Sequence, residues 1–454
     1  MNFKTYILFL AMLPVFAIQA QFSQNKGQNL TKSPYSNFGL GEILNQNLVQ
    51  AGALSQTYSG AYSYSLLNPA TISNLKYATF DFGFSQRNGY VQSGSEKQTF
   101  QGGSLSYLAL GFQSWHKDIY RKDSVNGKSV KRITKLFWNS YLSLYPSTSI
   151  GYNYTFEATN PFKTSTAHEG KGGLNAIEFG NGFKLGKHLA LGYAVGNLFG
   201  QMSDKSRFVV PDSSQYLGIE DEKVINIRGW QQTVGAMYSF NFDSTYHRLS
   251  FSYRWQSGMR AQSERLTRTF EATNLGDYFA DTILSTSGNY KSFKMPASFG
   301  FGYYFQFRKG FAVGLDYRKQ LWGNYASFFQ SNAGLTDRTD YGLGFIINPE
   351  DEKNPAKKRQ SIPIRFGGKY AVTQNAIASN NTKVAIIEKG AYIGFGIPIT
   401  RRYFDSRVLR SIIHVQVDYL QRGKNLSGLA NEEYVVFTVG LNLGDVWFQR
   451  RKFD

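Results

Sequence analysis

The segment Lys294–Trp322, KMPASFGFGYYFQFRKGFAVGLDYRKQLW, consists of two alternating runs joined by a very short turn. In the first run Phe299, Phe301, Tyr303, Phe305 and Phe307 share one face; Ser298, Gly300, Gly302, Tyr304, Gln306 and Arg308 share the other. After Lys309-Gly310, the second run sets Phe311, Val313, Leu315 and Tyr317 opposite Ala312, Gly314, Asp316, Arg318 and Gln320. Strand side chains alternate with period two, so each run has an apolar and a polar face. A soluble sheet would bury the apolar face in a core. This chain repeats the device many times, in long runs, with glycine and charge on the polar side. Apolar-out, polar-in alternation of that kind marks the wall of a transmembrane antiparallel β-barrel.

The totals agree. A chain of 454 residues has room for two or three ordinary domains or for one large barrel. Aromatics make up 16%, with 30 Tyr and 37 Phe, and there are 45 Gly. Mean hydropathy is −0.35, which excludes a bundle of long apolar membrane helices. A barrel needs only half-apolar strands and carries aromatic girdles at both interfaces. The net charge of +19 invites a nucleic-acid reading, but Lys and Arg are spread through turns and alternating positions with no basic arm. The excess fits the anionic head groups of outer-membrane lipid and lipopolysaccharide, or an acidic protein partner. Cysteine is absent, so neither a disulfide framework nor a thiolate metal site is expected.

Residues 1–20, MNFKTYILFLAMLPVFAIQA, read as a secretory signal peptide. Lys4 is the positive flank, Tyr6 to Phe16 form the apolar centre, and cleavage is expected near Ala20. Residues 21–76 are polar and turn-rich without sustained alternation. They form either a flexible periplasmic tail or a plug inside the barrel, and their Tyr, Leu and Phe favour the plug. Residues 77–454 then form the barrel.

From Tyr77 the sequence parses into fourteen alternating runs, near 77–92, 99–113, 134–157, 173–185, 188–209, 222–241, 246–270, 287–307, 311–329, 337–347, 361–372, 384–398, 409–421 and 432–449. An even count suits a bacterial single-chain barrel. Tight connections at 186–187, 243–245 and 309–310 alternate with longer polar ones at 158–172, 210–223 and 271–286. Short turns belong to the periplasmic side, which fixes an orientation. Two long charged insertions, 114–133 and 348–360, fall on that same side and are candidate contacts for other outer-membrane or periplasmic proteins. The final run ends on Trp447-Phe448, read as interface anchors.

Several pieces together resemble the long-chain fatty acid transporter family of outer-membrane proteins (FadL/TodX type), in its Bacteroidota form. They are SPYSNFGLGE from Ser33, Asn68-Pro69-Ala70 before the first run and MPASFGFGYY from Met295. Asp316-Tyr317 with Trp322, PIRFGGKY from Pro363 and DVWFQRRKFD from Asp445 complete the set. The resemblance implies a fourteen-stranded barrel with an amino-terminal hatch in its lumen, to which Asn68, Pro69 and Ala70 would belong. It also implies passive uptake of small hydrophobic molecules with sideways release through a gap at a kinked third strand, where Pro146 would sit. Some relatives in this group look instead like closed barrels serving as subunits of secretion or barrel-assembly machines.

No catalytic constellation is visible, and no cofactor or metal is expected. His116, His168, His188, His247 and His414 are scattered singly, none with a second ligand at metal spacing. The strand phase turns Asp81, Arg254, Asp316, Arg318, Arg365 and Asp418 away from the apolar stripe. They therefore face the lumen, because a cationic side chain facing mid-bilayer lipid costs roughly 2–4 kcal/mol. Such charges pair with one another and pin the plug, or they line a polar conduit.

Overall fold

The computed structural model describes residues 33–125, 128–159, 163–210, 216–243, 245–273, 276–307, 310–325, 335–349, 362–379, 382–402, 408–424 and 429–445. A two-residue strand, β1 (Glu42–Ile43), lies in the lumen. The wall begins with β2 (Ala78–Ser93), β3 (Glu96–Val125), β4 (Lys128–Ala158), β5 (Thr164–Leu185), β6 (Leu189–Val209) and β7 (Gly218–Phe242). It continues with β8 (Thr245–Arg254), β9 (Ser257–Thr273), β10 (Gly276–Ser287), β11 (Lys291–Met295) and β12 (Ser298–Phe307). It ends with β13 (Phe311–Gln320), β14 (Arg338–Ile347), β15 (Ile364–Ser379), β16 (Thr382–Arg402), β17 (Val408–Arg422) and β18 (Asn431–Asp445).

Both β8 and β9 pair with β7 and so form one wall strand; β10, β11 and β12 run beside them and form the next. The wall is thus an all-antiparallel barrel of fourteen strands. The seam closes between β18 and β2, from Asn431↔Gln92 to Asp445↔Ala78. Closure removes the edges that lipid cannot satisfy. The end where β2 starts and β18 stops also carries the tight connections, in which Gly186 and Gly310 take positive φ. This is the turn end of the barrel, and the opposite one is the far end.

The polarity is inverted relative to a soluble sheet. Leu315 is 55% exposed while its neighbour Asp316 is 7% exposed. Phe80, Phe82, Leu191, Phe251, Phe301, Phe366 and Phe437 face outward in the same way. Some expected loops are strand instead. Residues 276–287 pair with β9, β5 starts at Thr164 and β7 at Gly218, so hairpins run beyond the apolar band at the far end. These extensions mix polar residues with adjacent apolar ones such as Tyr278-Phe279 and Ile283-Leu284, so they lack the strict period-two alternation of the wall. The insertion 114–133 is likewise continuous with β3 and β4, whereas most of 348–360 lies outside the described residues.

Residues 33–77 fill the lumen as a hatch. Leu40, Leu48, Leu54, Tyr64, Leu66 and Ile72 are fully buried and pack against wall residues such as Tyr107, Tyr141 and Tyr145. The hatch is built from short 3₁₀ turns with local caps. Asn68 caps Pro69–Asn74 by accepting from the Ala70 N–H, and Pro69 stands where no donor is needed. That turn is seated on two wall glycines, Gly192 and Gly235, which are register partners on β6 and β7. A Cβ on Gly192 would lie 2.2 Å from the Ala70 nitrogen, and one on Gly235 would lie 2.1 Å from Asn68 Oδ1. Gly192→Ala should therefore overpack this seat by roughly 1–3 kcal/mol. The expected result is protease cleavage within residues 33–77 of a barrel that keeps its heat-modifiable gel mobility; a protected hatch would contradict the seat.

Candidate functional site: a latched hatch beside a split wall

Glu42 is the sole acidic residue between Gln21 and Lys76, and the fold gives it a dedicated socket. Arg87 on β2 grips its carboxylate through Nη1 at 3.0 and 3.1 Å and through Nη2 at 3.1 Å. Arg422 at the end of β17 reaches the same carboxylate at 2.7 Å. Arg422 also pairs with Glu432 on β18 at 3.3 Å and with Glu388 on β16. The Tyr434 ring lies under the Arg87 guanidinium, 4.3 Å to its centroid. Ser33 donates to Glu432, and the Tyr35 hydroxyl donates to the Ala430 carbonyl, so this end of the hatch is tied at the far end of the barrel. Burial strips water from this carboxylate, and the two guanidiniums supply the charge that replaces it.

Further ties run the length of the lumen. Asp316 on β13 accepts from Ser55 Oγ at 3.1 Å and Thr57 Oγ1 at 3.3 Å, and from the Gln56 N–H. The expectation of basic partners for Asp316 is corrected here: three neutral hatch donors satisfy it. Arg248 on β8 donates to the Thr57 and Ser59 carbonyls at 2.7 and 3.1 Å. Asn139 on β4 donates to the Ile72 and Leu75 carbonyls at 2.8 and 2.9 Å, which fixes the turn-end portion of the hatch.

The other lumenal charges are all turned inward. Asp81 accepts from hatch Gln50 at 3.0 Å and from Asn442 at 2.6 Å. Arg254 donates to Thr233 at 3.0 Å and stands 3.8 Å from Glu178. Arg365 contacts His414 at 3.1 Å, and Asp418 pairs with Lys369 at 2.8 Å. Arg318 is the register partner of Asp340 and lines a lumenal cavity of about 220 Å³. Glu42, Arg87, Asp316, Lys369 and Asp418 also line it beside Leu48, Val49 and Leu67, so this cavity is mixed, with charged groups set among aliphatic ones. Asn68, Pro69 and Ala70 are buried in the hatch, while Trp447 and Phe448 lie outside the described residues.

Pro146 marks an interruption of the wall. Pairing between β3 and β4 runs from Val125↔Lys128 up to Leu108↔Leu144 and stops there. Against β5, β4 continues past a register shift between Pro146 and Thr148. The edge that β3 leaves is taken by the hatch, where Glu42 pairs with Ser149 and Ile43 with Thr148. The Leu44 N–H adds a bond to the Ser147 carbonyl at 3.1 Å. Proline cannot donate to a ladder, which explains why the interruption falls here. Pro146 is visible in the sequence, whereas the strand that patches the gap and the Glu42 latch are not. The signal for the latch was the isolation of one acid in an otherwise acid-free segment.

Fold and lumen together define an outer-membrane type β-barrel closed by an internal hatch. The solved structures that resemble it support this class. The CymD monoaromatic hydrocarbon channel aligns with a TM-score of 0.54 at 12% identity, over 90% of this chain and 99% of that one. A Pseudomonas aeruginosa FadL homologue gives 0.53 at 11% identity, over 89% and 99%. The Ralstonia pickettii toluene transporter TbuX gives 0.52 at 13% identity, again over 89% and 99%. At such identities the likeness is one of fold. No curated protein matches the sequence. The family model BamG matches residues 4–118 and 136–454, and the chain belongs to the BamG family.

Glu42→Gln should accelerate hydrogen exchange of residues 33–44 at neutral pH, because removing one partner of a buried ion pair costs roughly 3–5 kcal/mol. Exchange in that variant that matches the parent would remove the latch from the account.

Proposed function

We propose that this chain is a non-transporting barrel subunit of a larger outer-membrane machine, the barrel-assembly machine to which the name of its family points. The observation that carries this reading is the latch. A hatch tied to β2, β4, β8, β13, β17 and β18, through buried ion pairs and hydrogen bonds at both ends, is built to stay. The lumenal cavity of about 220 Å³ beside the latch is small, and the charged groups in its lining make it a poor route for an apolar solute. In this reading the barrel is an apolar collar seated in the outer membrane of a Gram-negative bacterium. Its turn end faces the periplasm, and the filled lumen stiffens the wall against which partners pack.

Uptake of small hydrophobic compounds is the second reading, favoured by the wall interruption beside Pro146. In that case molecules of the kind named for the hydrocarbon and toluene channels would leave sideways there, once Glu42–Leu44 peeled off β4. The two readings separate experimentally. Native extraction in mild detergent should give stoichiometric co-purification with other envelope proteins. The purified barrel in liposomes should not accelerate toluene entry, even with Asp316→Asn loosening the hatch. A lone barrel that speeds entry, and does so further in that variant, would overturn the subunit reading.

A further inference from the structure

The outer face of the wall carries a hollow of about 1130 Å³, lined from β6 round to β17 and well away from the interruption between β3 and β4. Its lining follows the register of the sheet. One ridge runs Leu249, Tyr303, Leu315, Leu343, Gly368 and Ala391, each the register partner of the next. A second ridge, one step nearer the far end, runs Phe251, Phe301, Tyr317, Tyr341, Tyr370 and Lys389. The backbone of the inward-facing row between them is the floor, in which Gly302 and Gly342 rest on the hatch: a Cβ on either would lie 2.5 Å from Thr57 or Ala53. The groove begins at Leu189, just past the turn-end connection, and ends at Tyr419 and Gln421, beside Arg422 at the far end. Wall strands about 4.8 Å apart and tilted by about 40° carry it roughly 40 Å around the wall and roughly 25 Å across the bilayer.

The two ridges are two residues apart along each strand, roughly 7 Å. An α-helix is about 10–12 Å across and would ride on the ridges, whereas an acyl chain settles between them. The first ridge is lowest toward the far end, where Gly368 and Ala391 succeed Leu343. A Cβ on Gly368 would meet only the Gly390 carbonyl oxygen, at 3.6 Å, so the space beyond it is open. The second ridge stands tall at the same place: Tyr341 and Tyr370 are 49% and 41% exposed, and Lys389 lies next to Tyr370. Lys389 faces outward and has no acidic partner among the described residues. Glu433, two strands further on, is already engaged by Tyr419 at 2.9 Å, Gln421 at 3.3 Å and Lys424. A lysine on the lipid side costs little at the level of the head groups, and an unpaired one there is matched by a lipid anion.

We propose that this groove is a binding site for lipopolysaccharide. One acyl chain lies along Gly368 and Ala391, and a phosphate of the lipid anchor sits at Lys389 beside the Tyr341 and Tyr370 hydroxyls. The proposal rests on the outer-membrane placement given above, which puts the far end in the outer leaflet, and not on the choice between subunit and channel. Inside a bilayer one hydrocarbon contact gains little over another, so an acyl chain alone would not be selected. Selection comes from the cation and hydroxyls at the mouth together with a preformed hollow that the wall's own side chains leave unfilled. The size of the hollow favours a head group that carries several chains, as the phosphorylated anchor of lipopolysaccharide does.

The test uses the full chain purified in mild detergent, with binding of lipid A, dephosphorylated lipid A and phosphatidylglycerol read by native mass spectrometry. Lys389→Glu reverses the cation, Lys389→Arg keeps it, and Gly368→Leu fills the hollow without meeting the hatch. Heat-modifiable mobility confirms that each barrel is assembled. Lipid A should bind in preference to the other two, with affinity lowered about tenfold by Lys389→Glu and by Gly368→Leu and kept by Lys389→Arg. Equal retention of the three lipids would overturn the site and leave ordinary boundary lipid in its place. So would lipid A binding that is indifferent to Lys389→Glu or Gly368→Leu, or that is lost in Lys389→Arg. Lost selectivity in a chain that fractionates with the outer membrane sinks the site alone. A native chain that fractionates elsewhere removes the membrane placement, and the site with it.

Discussion

In hydrocarbon there is no water to replace a missing partner, so every backbone N–H and C=O of the wall needs one within the protein. The closed seam between β18 and β2 meets this demand around most of the circumference. The demand is harder to meet where β3 and β4 part, because a proline and a register shift interrupt the ladder at that point. There the hatch itself supplies the bonds, by laying Glu42 and Ile43 along Thr148 and Ser149. Wall and hatch are therefore one hydrogen-bonded object. The carboxylate of Glu42, one of the two residues that complete the ladder, is also the one clasped by Arg87 and Arg422, so ladder and ion cluster hold the same residue in place.

This coupling explains the unusual composition of the interior. A barrel of fourteen strands encloses more volume than wall side chains can fill, and the excess is taken up by a hatch rich in Tyr, Ser, Asn and Gln. Such residues bond to wall side chains and to their own turns while bringing few charges. Small wall residues let the hatch backbone approach closely. Gly192 and Gly235 admit the Pro69 turn, while Gly314 and Gly344 admit Leu54. The single hatch acid then carries an outsized share of the ionic anchoring.

Much of the fold was legible in the sequence because the strand period is short and unambiguous. Phe80, Phe82 and Phe84, or Leu249, Phe251 and Tyr253, need no alignment to be assigned to one face. The inward placement of Asp81, Arg254, Asp316, Arg318, Arg365 and Asp418 follows from the same phase. What could not be read was anything fixed by register between distant strands. Arg87, Glu388, Arg422 and Glu432 are far apart in sequence and converge on Glu42 only because neighbouring strands bring them to one height. The partners of Asp316 were misjudged because backbone and hydroxyl donors leave no charge pattern to find. Strand extensions beyond the bilayer read as loops in the sequence, since outside lipid the two faces no longer need to differ.

The path of the hatch constrains how the molecule is made. Its first described residues are fastened beside β17 and β18, the last strands to be synthesised, while its final residues lead directly into β2, the first strand of the wall. The seam joins those same first and last strands. Zipping that seam therefore encircles a segment already threaded through the interior, because both ends of the thread are secured to opposite mouths of the cylinder. Whatever catalyses insertion of this protein must hold its two terminal strands apart until the leading segment is in position, and release them last.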